Sequence, residues 1–374
     1  MSAALDIERI ILRFVTATLT RPFENRWQRY HTWTKLVIEV DAGGISGFGE
    51  CAAMETPFYN YETIETAWYI TEQYLAPMLL REQVTDPRAA QTVWREINGH
   101  EEAKGGVEGA LWDLRARAAG RPLCEELGGT IRPVPVGATA GIEGTIDHLL
   151  ANIEHFRDSG FRRIRVKIRP GWDLEPLREI NAAFPGLPIV ADANAAYAEE
   201  HLDQVIRLDE CDLMAIEQPF PRDLIETTAT LQSRISTAVC LDEQVHSLRE
   251  MRHACRIKAG RMANIKVGRV GGLAEAVRIH DFCQAEGIDL FVGGKWDHGL
   301  GRWCALALAT LPNMTLPSDV GPSSEYYVDD GAEPKVEFCE PGWVMPGPGS
   351  GLGAVLSDDV NVVRELELTT KEFR

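Results

Sequence analysis

The sequence predicts an α/β protein in which a barrel of repeated strand–helix units carries a smaller α+β module. Five short apolar segments each end in a charged residue, and the successive intervals are 25, 25, 25 and 24 residues: Lys167, Asp192, Glu217, Asp242 and Lys266. A strand, a helix and two short loops together take about 25 residues, which is the repeat of a parallel α/β structure. The C-terminal ends of the strands of such a barrel surround one mouth. The five side chains are therefore predicted to converge there.

The N-terminal part of the chain predicts the smaller module. Residues 5–19 have the pattern of a strand, and residues 34–50 have the pattern of a hairpin around a Gly-rich turn. An aromatic-rich loop, residues 51–63, then leads into helical patterns that end near Gly120. We assign residues 1–130 to this module.

Residues 131–325 predict the barrel, because strand and helix patterns alternate strictly from VPVGAT (134–139) onward. The seventh strand is IDLFVGG (288–294), and MTLPSD (314–319) predicts an eighth strand without a following helix. Residues 326–374 return to short strand-like pieces with Pro and Gly. We expect this tail to pack back on the N-terminal module.

Composition excludes several classes of partner. The formal net charge of −18 disfavours nucleic acid and anionic membranes, since both repel an acidic surface. No apolar run approaches the ~20 residues that span a bilayer, and the N-terminus has no pattern of a secretory signal. The eight cysteines are scattered without a CxxC pair, which is typical of free thiols in a reducing compartment. We therefore expect a cytoplasmic protein.

The three acids of the series indicate a metal site. Asp192, Glu217 and Asp242 offer oxygen ligands with no His or Cys beside them, a set that suits Mg²⁺, with Mn²⁺ as a plausible substitute. Any one of them alone is better explained as a helix cap or as a partner of Lys or Arg. Three acids at successive strand ends repel one another and favour a bound cation.

The two lysines of the series indicate acid/base chemistry. Lys167 and Lys266 lie at opposite ends of the row of acids, so in a closed barrel they approach a ligand from opposite faces. A lysine near a divalent cation can serve as a base, and the cation makes the proton α to a carboxylate easier to remove. Two bases permit racemisation, whereas one base and one cationic stabiliser permit a syn elimination. Ion pairing of either lysine with a neighbouring acid is the alternative.

Two further polar residues accompany the acids. Asn194 is a candidate for holding water, the metal or an acid, with a turn-forming role as its alternative. Glu243 follows Asp242 and points to the opposite face if the strand continues. We expect Glu243 to support the site and not to bind the metal.

Several motifs together resemble the enolase superfamily, muconate-lactonising subgroup, and are most similar to the o-succinylbenzoate synthase and N-succinylamino acid racemase branch. The motifs are DANAAY (192–197), IEQP (216–219), LDE (241–243), NIKVGRVGG (264–272) and LPSDVGPSS (316–324). The resemblance implies a modified TIM barrel, (β/α)₇β, with an α+β capping domain formed by the N-terminal part and the C-terminal tail.

The same resemblance implies functional roles. It implies Mg²⁺ on the three acids and acid/base roles for Lys167 and Lys266. It also implies that loops near 20–27 and 51–61, which contain Phe23 and Tyr59, close over the substrate.

Two departures from the branch pattern concern specificity. The branch usually has Lys-x-Lys on the second strand, whereas this chain has Arg165 and Lys167; arginine keeps the charge but does not titrate. At the end of the seventh strand, Lys295 replaces an apolar residue and Asp297 replaces a Glu, with Trp296 between them. Lys295 is expected either to bind a second anionic group or to extend to the surface.

These observations predict an enzyme that removes the proton α to a carboxylate through an enediolate, of the o-succinylbenzoate synthase or N-succinylamino acid racemase type. A dehydratase or cycloisomerase of another small carboxylic acid is one alternative. A barrel that binds metal and ligand without turnover is the alternative from another class. We expect a small-molecule carboxylate as substrate and a homo-oligomer as the assembly.

Overall fold

The computed structural model describes residues 6–24 and 28–373. Residues 1–5, which include the start of the first predicted strand and of the predicted module 1–130, lie outside this description. So do residues 25–27 of the predicted loop 20–27, and residue 374 of the tail.

Strands form four sheets. In chain order they are β1 Ile7–Glu24, β2 Arg29–Ala42, β3 Ile45–Cys51, β4 Val134–Pro135, β5 Gly137–Ala140, β6 Arg163–Lys167, β7 Ile189–Asp192, β8 Ala215–Glu217, β9 Ala238–Leu241, β10 Met262–Ile265, β11 Asp289–Val292, β12 Ala332–Glu333, β13 Phe338–Glu340, β14 Trp343–Val344, β15 Val355–Leu356 and β16 Val362–Thr369.

Helices cover the sheets. They are α1 Ile64–Ile70, α2 Ala76–Glu82, α3 Pro87–Val93, α4 Glu101–Ala118, α5 Leu123–Glu126, α6 Ile146–Asp158, α7 Leu174–Ala183, α8 Leu202–Ile206, α9 Ile225–Arg234, α10 Leu248–Arg256, α11 Leu273–Glu286 and α12 Gly299–Leu308. A π-helical turn, Thr71–Leu75, joins α1 to α2. Across the described residues, no helix is both long and apolar enough to cross a membrane.

The capping domain is built on an antiparallel sheet of order β16-β1-β2-β3. Helix α4 lies directly on this sheet, because Gly47 and Gly49 of β3 leave no room for a side chain against the helix backbone. Strand β16 of the tail pairs with β1, as expected for a tail that returns to this domain. An earlier part of the tail does not return to this domain. Its strands β13 and β14 form a small sheet with β4, which directly precedes the first barrel strand, β5.

The barrel consists of seven parallel strands in the order β5 to β11. The predicted eighth strand is a single bridge, Val136–Ser318, flanked by hydrogen bonds on both sides. On one side, Asp319 N donates to the oxygen of Val292, the last residue of β11 (2.8 Å). On the other side, Ser318 N donates to the oxygen of Pro135, just before β5 (2.9 Å). Residues 316–319 therefore close the sheet on itself. The predicted (β/α)₇β barrel with its capping domain is confirmed.

Carboxylates of the capping domain bind the N-termini of two barrel helices that have no side-chain cap of their own. Glu50 accepts hydrogen bonds from His298 N (2.7 Å) and Gly301 N (2.8 Å) at the start of α12. Glu108 accepts from Ala274 N (3.3 Å) at the start of α11. A carboxyl oxygen at this position accepts hydrogen bonds from N–H groups that have no partner within the helix. These contacts fix the cap on the barrel.

Glu108 predicts a specific pH dependence of stability. Burial raises the pKa of Glu108 from 4.5 to about 8, against the opposing effect of its hydrogen bond with Gln91. The native carboxyl keeps its proton where the unfolded chain has lost it, so stability falls as the pH rises from about 4.5 to about 8. Glu108→Gln keeps an acceptor oxygen but cannot titrate. We expect the loss of unfolding free energy between pH 5 and pH 9 to be smaller in this variant by about 1–3 kcal/mol.

Denaturant unfolding at the two pH values measures this difference. Glu367→Gln, on the exposed edge strand β16, is the matched control and should keep the wild-type slope. Equal slopes for Glu108→Gln and wild type would contradict the assignment.

Candidate active site

The structure brings together the five residues of the sequence series at the C-terminal ends of five consecutive strands. Lys167, Asp192 and Glu217 are the last residues of β6, β7 and β8, and the three are neighbours in strand register. Asp242 and Lys266 directly follow β9 and β10. The three acids are at most 1% exposed. They lie between the two lysines in the order of the strands.

Lys167 is held by two neighbours. Its Nζ lies 2.5 Å from Asp192 Oδ2 and 2.6 Å from Asn194 Oδ1. Burial acts to raise the pKa of Asp192, but Lys167 and Arg165 outweigh it and lower that pKa below its usual value. The acid is therefore ionised, and the lysine side chain remains partly accessible.

Lys266 is held in the same way on the other side of the acids. Its Nζ donates to Asp242 Oδ2 (2.7 Å) and to the hydroxyl oxygen of Tyr59 (2.8 Å). Burial acts to lower the pKa of Lys266, but Tyr59 and Glu243 among other groups raise it above its usual value. The other oxygen of Asp242 accepts from Arg269. Each lysine is thus paired with one acid of the series, as the ion-pair alternative anticipated.

Glu217 lies at the centre of the row. Its Oε1 accepts from Asn264 Nδ2 (2.8 Å), and Arg165 Nε lies 3.0 Å from its Oε2. The geometry of that contact does not make a hydrogen bond, so Oε2 is buried without a hydrogen-bond partner among the residues that the structure describes. Arg165 reaches further, to Asp319 Oδ2 (2.7 Å). Its positive charge is therefore shared among buried acids.

The chemistry of these donors fits a hard divalent cation. Within residues 6–24 and 28–373, no three His, Cys, Asp or Glu side chains stand close enough together to hold a metal ion as they are. The ion pairs keep the acids apart, because Asp192 faces Lys167 and Asp242 faces Lys266. Three buried carboxylates on adjacent strands, one with an unbonded oxygen, are nevertheless the donor set that Mg²⁺ prefers. Asp192, Glu217 and Asp242 are the residues that would hold it.

An aromatic wall lies opposite the polar strand ends. The pocket between them is lined by Phe23, Met54, Tyr59, Thr139, Arg165, Lys167, Asn194, Lys266, Gly294, Lys295, Trp296, Asp297, Arg302, Asp319 and Tyr326. The ring of Trp296 lies with its centroid 4.5 Å from that of Phe23 and 5.7 Å from that of Tyr326. Trp296 has a φ of 57°, which is rare for a bulky residue and marks a constrained position. Tyr59 comes from the predicted loop 51–61. Phe23 lies in strand β1, which continues to Glu24 through the first part of the predicted loop 20–27 and pairs there with β2.

Lys295 does not extend to the surface, and that alternative is wrong. The residue is 4% exposed, and its ammonium group pairs with the buried Glu102 of helix α4. The anion that Lys295 binds therefore belongs to the chain itself. Asp297 holds the backbone of the same turn, since its Oδ2 accepts from Lys295 N (2.9 Å).

Asn194 and Glu243 form one unit beside the acids. Asn194 donates to Glu243 Oε1 (3.0 Å) while its own Oδ1 accepts from Lys167. Asn194 also has a φ of 43°, so it combines the turn-forming role with the polar one. Strand β9 ends at Leu241, and the alternation of strand faces therefore does not determine the direction of Glu243.

Four residues of the site were missed by the sequence analysis. Asp319 bonds Arg163 (2.8 Å) as well as Arg165, and its signal was its place at the end of the eighth predicted strand. Arg269 follows Lys266 by three residues in a quoted motif. Asn264, within β10, begins that same motif, whereas Glu102 carried no sequence signal.

Comparisons with known proteins agree with this fold. Residues 9–128 match the mandelate racemase / muconate lactonizing enzyme N-terminal domain, and residues 148–360 match the enolase C-terminal domain-like family. A crystal structure of an enolase superfamily member from Listeria innocua has a TM-score of 0.93 at 30% identity and covers 98% of this chain and 100% of its own.

Two of the names carried by curated relatives are those of a synthase and a racemase. An o-succinylbenzoate synthase of Geobacillus kaustophilus is 41% identical over 335 residues, which are 89% of each chain. An N-succinylamino acid racemase of Thermus thermophilus is 38% identical over 353 residues, which are 94% of this chain and 95% of the relative. The chain therefore belongs to the mandelate racemase / muconate lactonizing enzyme family of the enolase superfamily, a family of enzymes.

Proposed function

We propose that this enzyme removes the proton α to a substrate carboxylate, in a reaction of the o-succinylbenzoate synthase or N-succinylamino acid racemase type. The observation that carries the proposal is the row of five side chains at the strand ends. Lys167 and Lys266 line one pocket from β6 and β10, and the three acids lie between them. This is the arrangement required for a base on each side of a substrate carbon.

Asp192, Glu217 and Asp242 are proposed to bind Mg²⁺, or Mn²⁺ in its place. The cation supplies positive charge that lowers the pKa of the α-proton and stabilises the negative charge that develops on the substrate carboxylate. In the structure, Asp192 pairs with the ammonium group of Lys167 and Asp242 pairs with that of Lys266, so both carboxylates already face a positive charge.

The lysines are proposed to move the proton at their Nζ atoms. Lys266 is oriented by Tyr59 and Asp242, and Lys167 is oriented by Asn194 and Asp192. If one lysine removes the proton and the other returns it on the opposite face, the product is racemised. If a single lysine removes the proton while the other stabilises charge, a leaving group on the neighbouring carbon departs by syn elimination. Arg165 does not titrate and contributes charge only.

The wall formed by Phe23, Tyr59, Trp296 and Tyr326 supports a substrate whose α-carbon bears a ring or a sizeable apolar group. Both curated names above denote enzymes of succinyl compounds, and the identity of 41% for a synthase and 38% for a racemase favours these two reactions for this chain. The proposed substrate is a small carboxylate, with neither nucleic acid nor membrane as partner. We also propose a homo-oligomer in the cytoplasm, and sedimentation would test the assembly.

Exchange of the α-proton tests the proposed first step. With Mg²⁺ in D₂O, wild-type enzyme should introduce deuterium at the α-carbon of an N-succinyl amino acid or convert the synthase precursor. Lys266→Ala should lower by at least about 100-fold either the conversion of the synthase precursor or the exchange from one of the two N-succinyl enantiomers, because a positioned general base contributes that much or more. Mass spectrometry measures the incorporation.

The control for this variant is Lys335→Ala, a half-exposed lysine remote from the pocket. Wild-type activity in Lys266→Ala would show that the base is assigned wrongly. If the wild-type protein exchanged no α-proton on a broad panel of carboxylates, the alternative that remains would be a barrel that binds metal and ligand without turnover.

Lys167→Ala separates the two reactions. In a racemase each lysine serves one enantiomer, so the variant should keep α-proton exchange from one N-succinyl enantiomer and lose it about 100-fold or more from the other. Chiral chromatography combined with mass spectrometry measures both rates. Equal losses for both enantiomers, together with turnover of the synthase precursor by wild type, would instead assign the synthase reaction.

Binding of Mg²⁺ to the three acids predicts a shift in thermal stability. A ligand that binds only the native state at 100 times its dissociation constant stabilises by about 2.7 kcal/mol, so Mg²⁺ should raise the melting temperature and a chelator should reverse the rise. Glu217→Gln should reduce this shift, whereas Glu365→Gln on β16 should leave it intact. An identical shift in both variants would place the ion elsewhere.

A further inference from the structure

The end of the aromatic-rich loop, residues 51–63, is attached to the first turn of helix α4. Helix α4 begins after His100, which provides no side-chain cap. Glu62 of the loop supplies one, since its carboxylate accepts from Glu102 N (3.1 Å) and Ala103 N (2.7 Å). Glu62 is 1% exposed. A buried cap of this kind ties the loop to the helix.

The two preceding loop residues bind acids of the same helical turn. The hydroxyl of Tyr61 donates to Glu101, and Asn60 Nδ2 donates to Glu102 Oε1 (3.4 Å). Three consecutive loop side chains therefore contact one turn of α4. The position of that turn consequently sets the position of the loop.

Glu102 connects this turn to the barrel. Its Oε1 also accepts from the ammonium group of Lys295, and both side chains of this pair are at most 3% exposed. Its Oε2 lies so close to Gly268 that no Cβ would fit there, and Gly268 follows Lys266 by two residues. One buried carboxylate thus contacts the loop, the end of the seventh strand and the turn after Lys266.

Lys295 is itself held rigidly and faces the loop. Its carbonyl accepts from the buried Lys35 (2.9 Å), and its N–H donates to Asp297. Its ammonium group lies 5.7 Å from the ring centroid of Tyr59, and Lys266 Nζ lies 4.9 Å from the same ring. The ring of Tyr59 therefore lies close to both lysines, with its hydroxyl on Lys266.

We propose that Glu102 and Lys295 are positioning residues: their buried ion pair holds the loop end so that Tyr59 lies against Lys266 over the bound substrate. The proposal rests on the proposed function, because it takes Lys266 as an acid/base residue. It assigns a role to the departure at Lys295, which acts through Glu102, Asn60 and Tyr59 and not by touching the substrate.

Four variants test the pair. Asn60→Ala removes a contact on the loop side only. Glu102→Met and Lys295→Met together replace the ion pair by an apolar pair, which a buried site tolerates far better than one unpaired charge. Either single substitution of the pair leaves a buried charge and is included for comparison.

Chymotrypsin reports on the loop independently of activity, because Phe58 and Tyr61 are about half exposed. We expect Asn60→Ala and the double variant to be cut faster after these residues, at a melting temperature close to that of wild type. We also expect their kcat/KM for α-proton exchange to fall about tenfold to 100-fold, as for a misplaced catalytic constellation. The control is Arg13→Met, which breaks the partly buried pair with Glu39 in the capping sheet and should change neither readout.

A double variant with wild-type cutting rate and wild-type kcat/KM would overturn the proposal, because the ion pair would then serve stability alone. Wild-type behaviour of Asn60→Ala in both readouts would also overturn it. Absence of any exchange in the wild-type enzyme would refute the proposed function, whereas the cutting rates would still decide whether the pair holds the loop.

Discussion

The balance of buried charge at the C-terminal ends of the barrel strands is the constraint on which the site depends. Asp192, Glu217 and Asp242 are almost completely inaccessible, and unpaired carboxylates there would be strongly destabilising. Lys167 and Lys266 supply part of the compensating charge. The groups that make the acids tolerable in the fold are therefore the same groups proposed to move the proton, and stability and catalysis are coupled at this position.

A set of acidic side chains at helix N-termini orients the capping domain. Glu50 and Glu108 bind barrel helices that lack caps of their own, while Glu62 caps the capping domain's own helix α4. Glu62 and Glu108 are buried, Glu50 is partly buried, and each accepts hydrogen bonds from backbone N–H groups. Such hydrogen bonds act at short range and require a defined orientation. The cap is thereby fixed relative to the pocket to within the tolerance of hydrogen bonds. The loop that carries Tyr59 is attached to α4 through Glu62, so its position is also fixed relative to the pocket.

The sequence was sufficient for the residues that repeat with the fold and insufficient for those that meet across it. The row from Lys167 to Lys266 follows from the length of a strand–helix unit, so spacing alone placed its members together. Glu102 lies 193 residues from Lys295, and no periodicity relates a capping helix to the seventh strand. Local pattern also failed for Glu243, because alternation is informative only while a strand continues, and β9 has already ended.

The departures from the branch pattern at Arg165 and at Lys295 have the same physical explanation. Arg165 binds Asp319, and Lys295 binds Glu102, so each cation has a buried acid of this chain as its partner. A neutralised cation offers little attraction to a further anionic group on a substrate, since a second anion would also be repelled by the acid already present. Lys295 therefore does not argue against the succinyl compounds named for the relatives. We propose that discrimination among substrates depends instead on the aromatic wall, where Trp296 has a constrained backbone conformation and lies against Phe23.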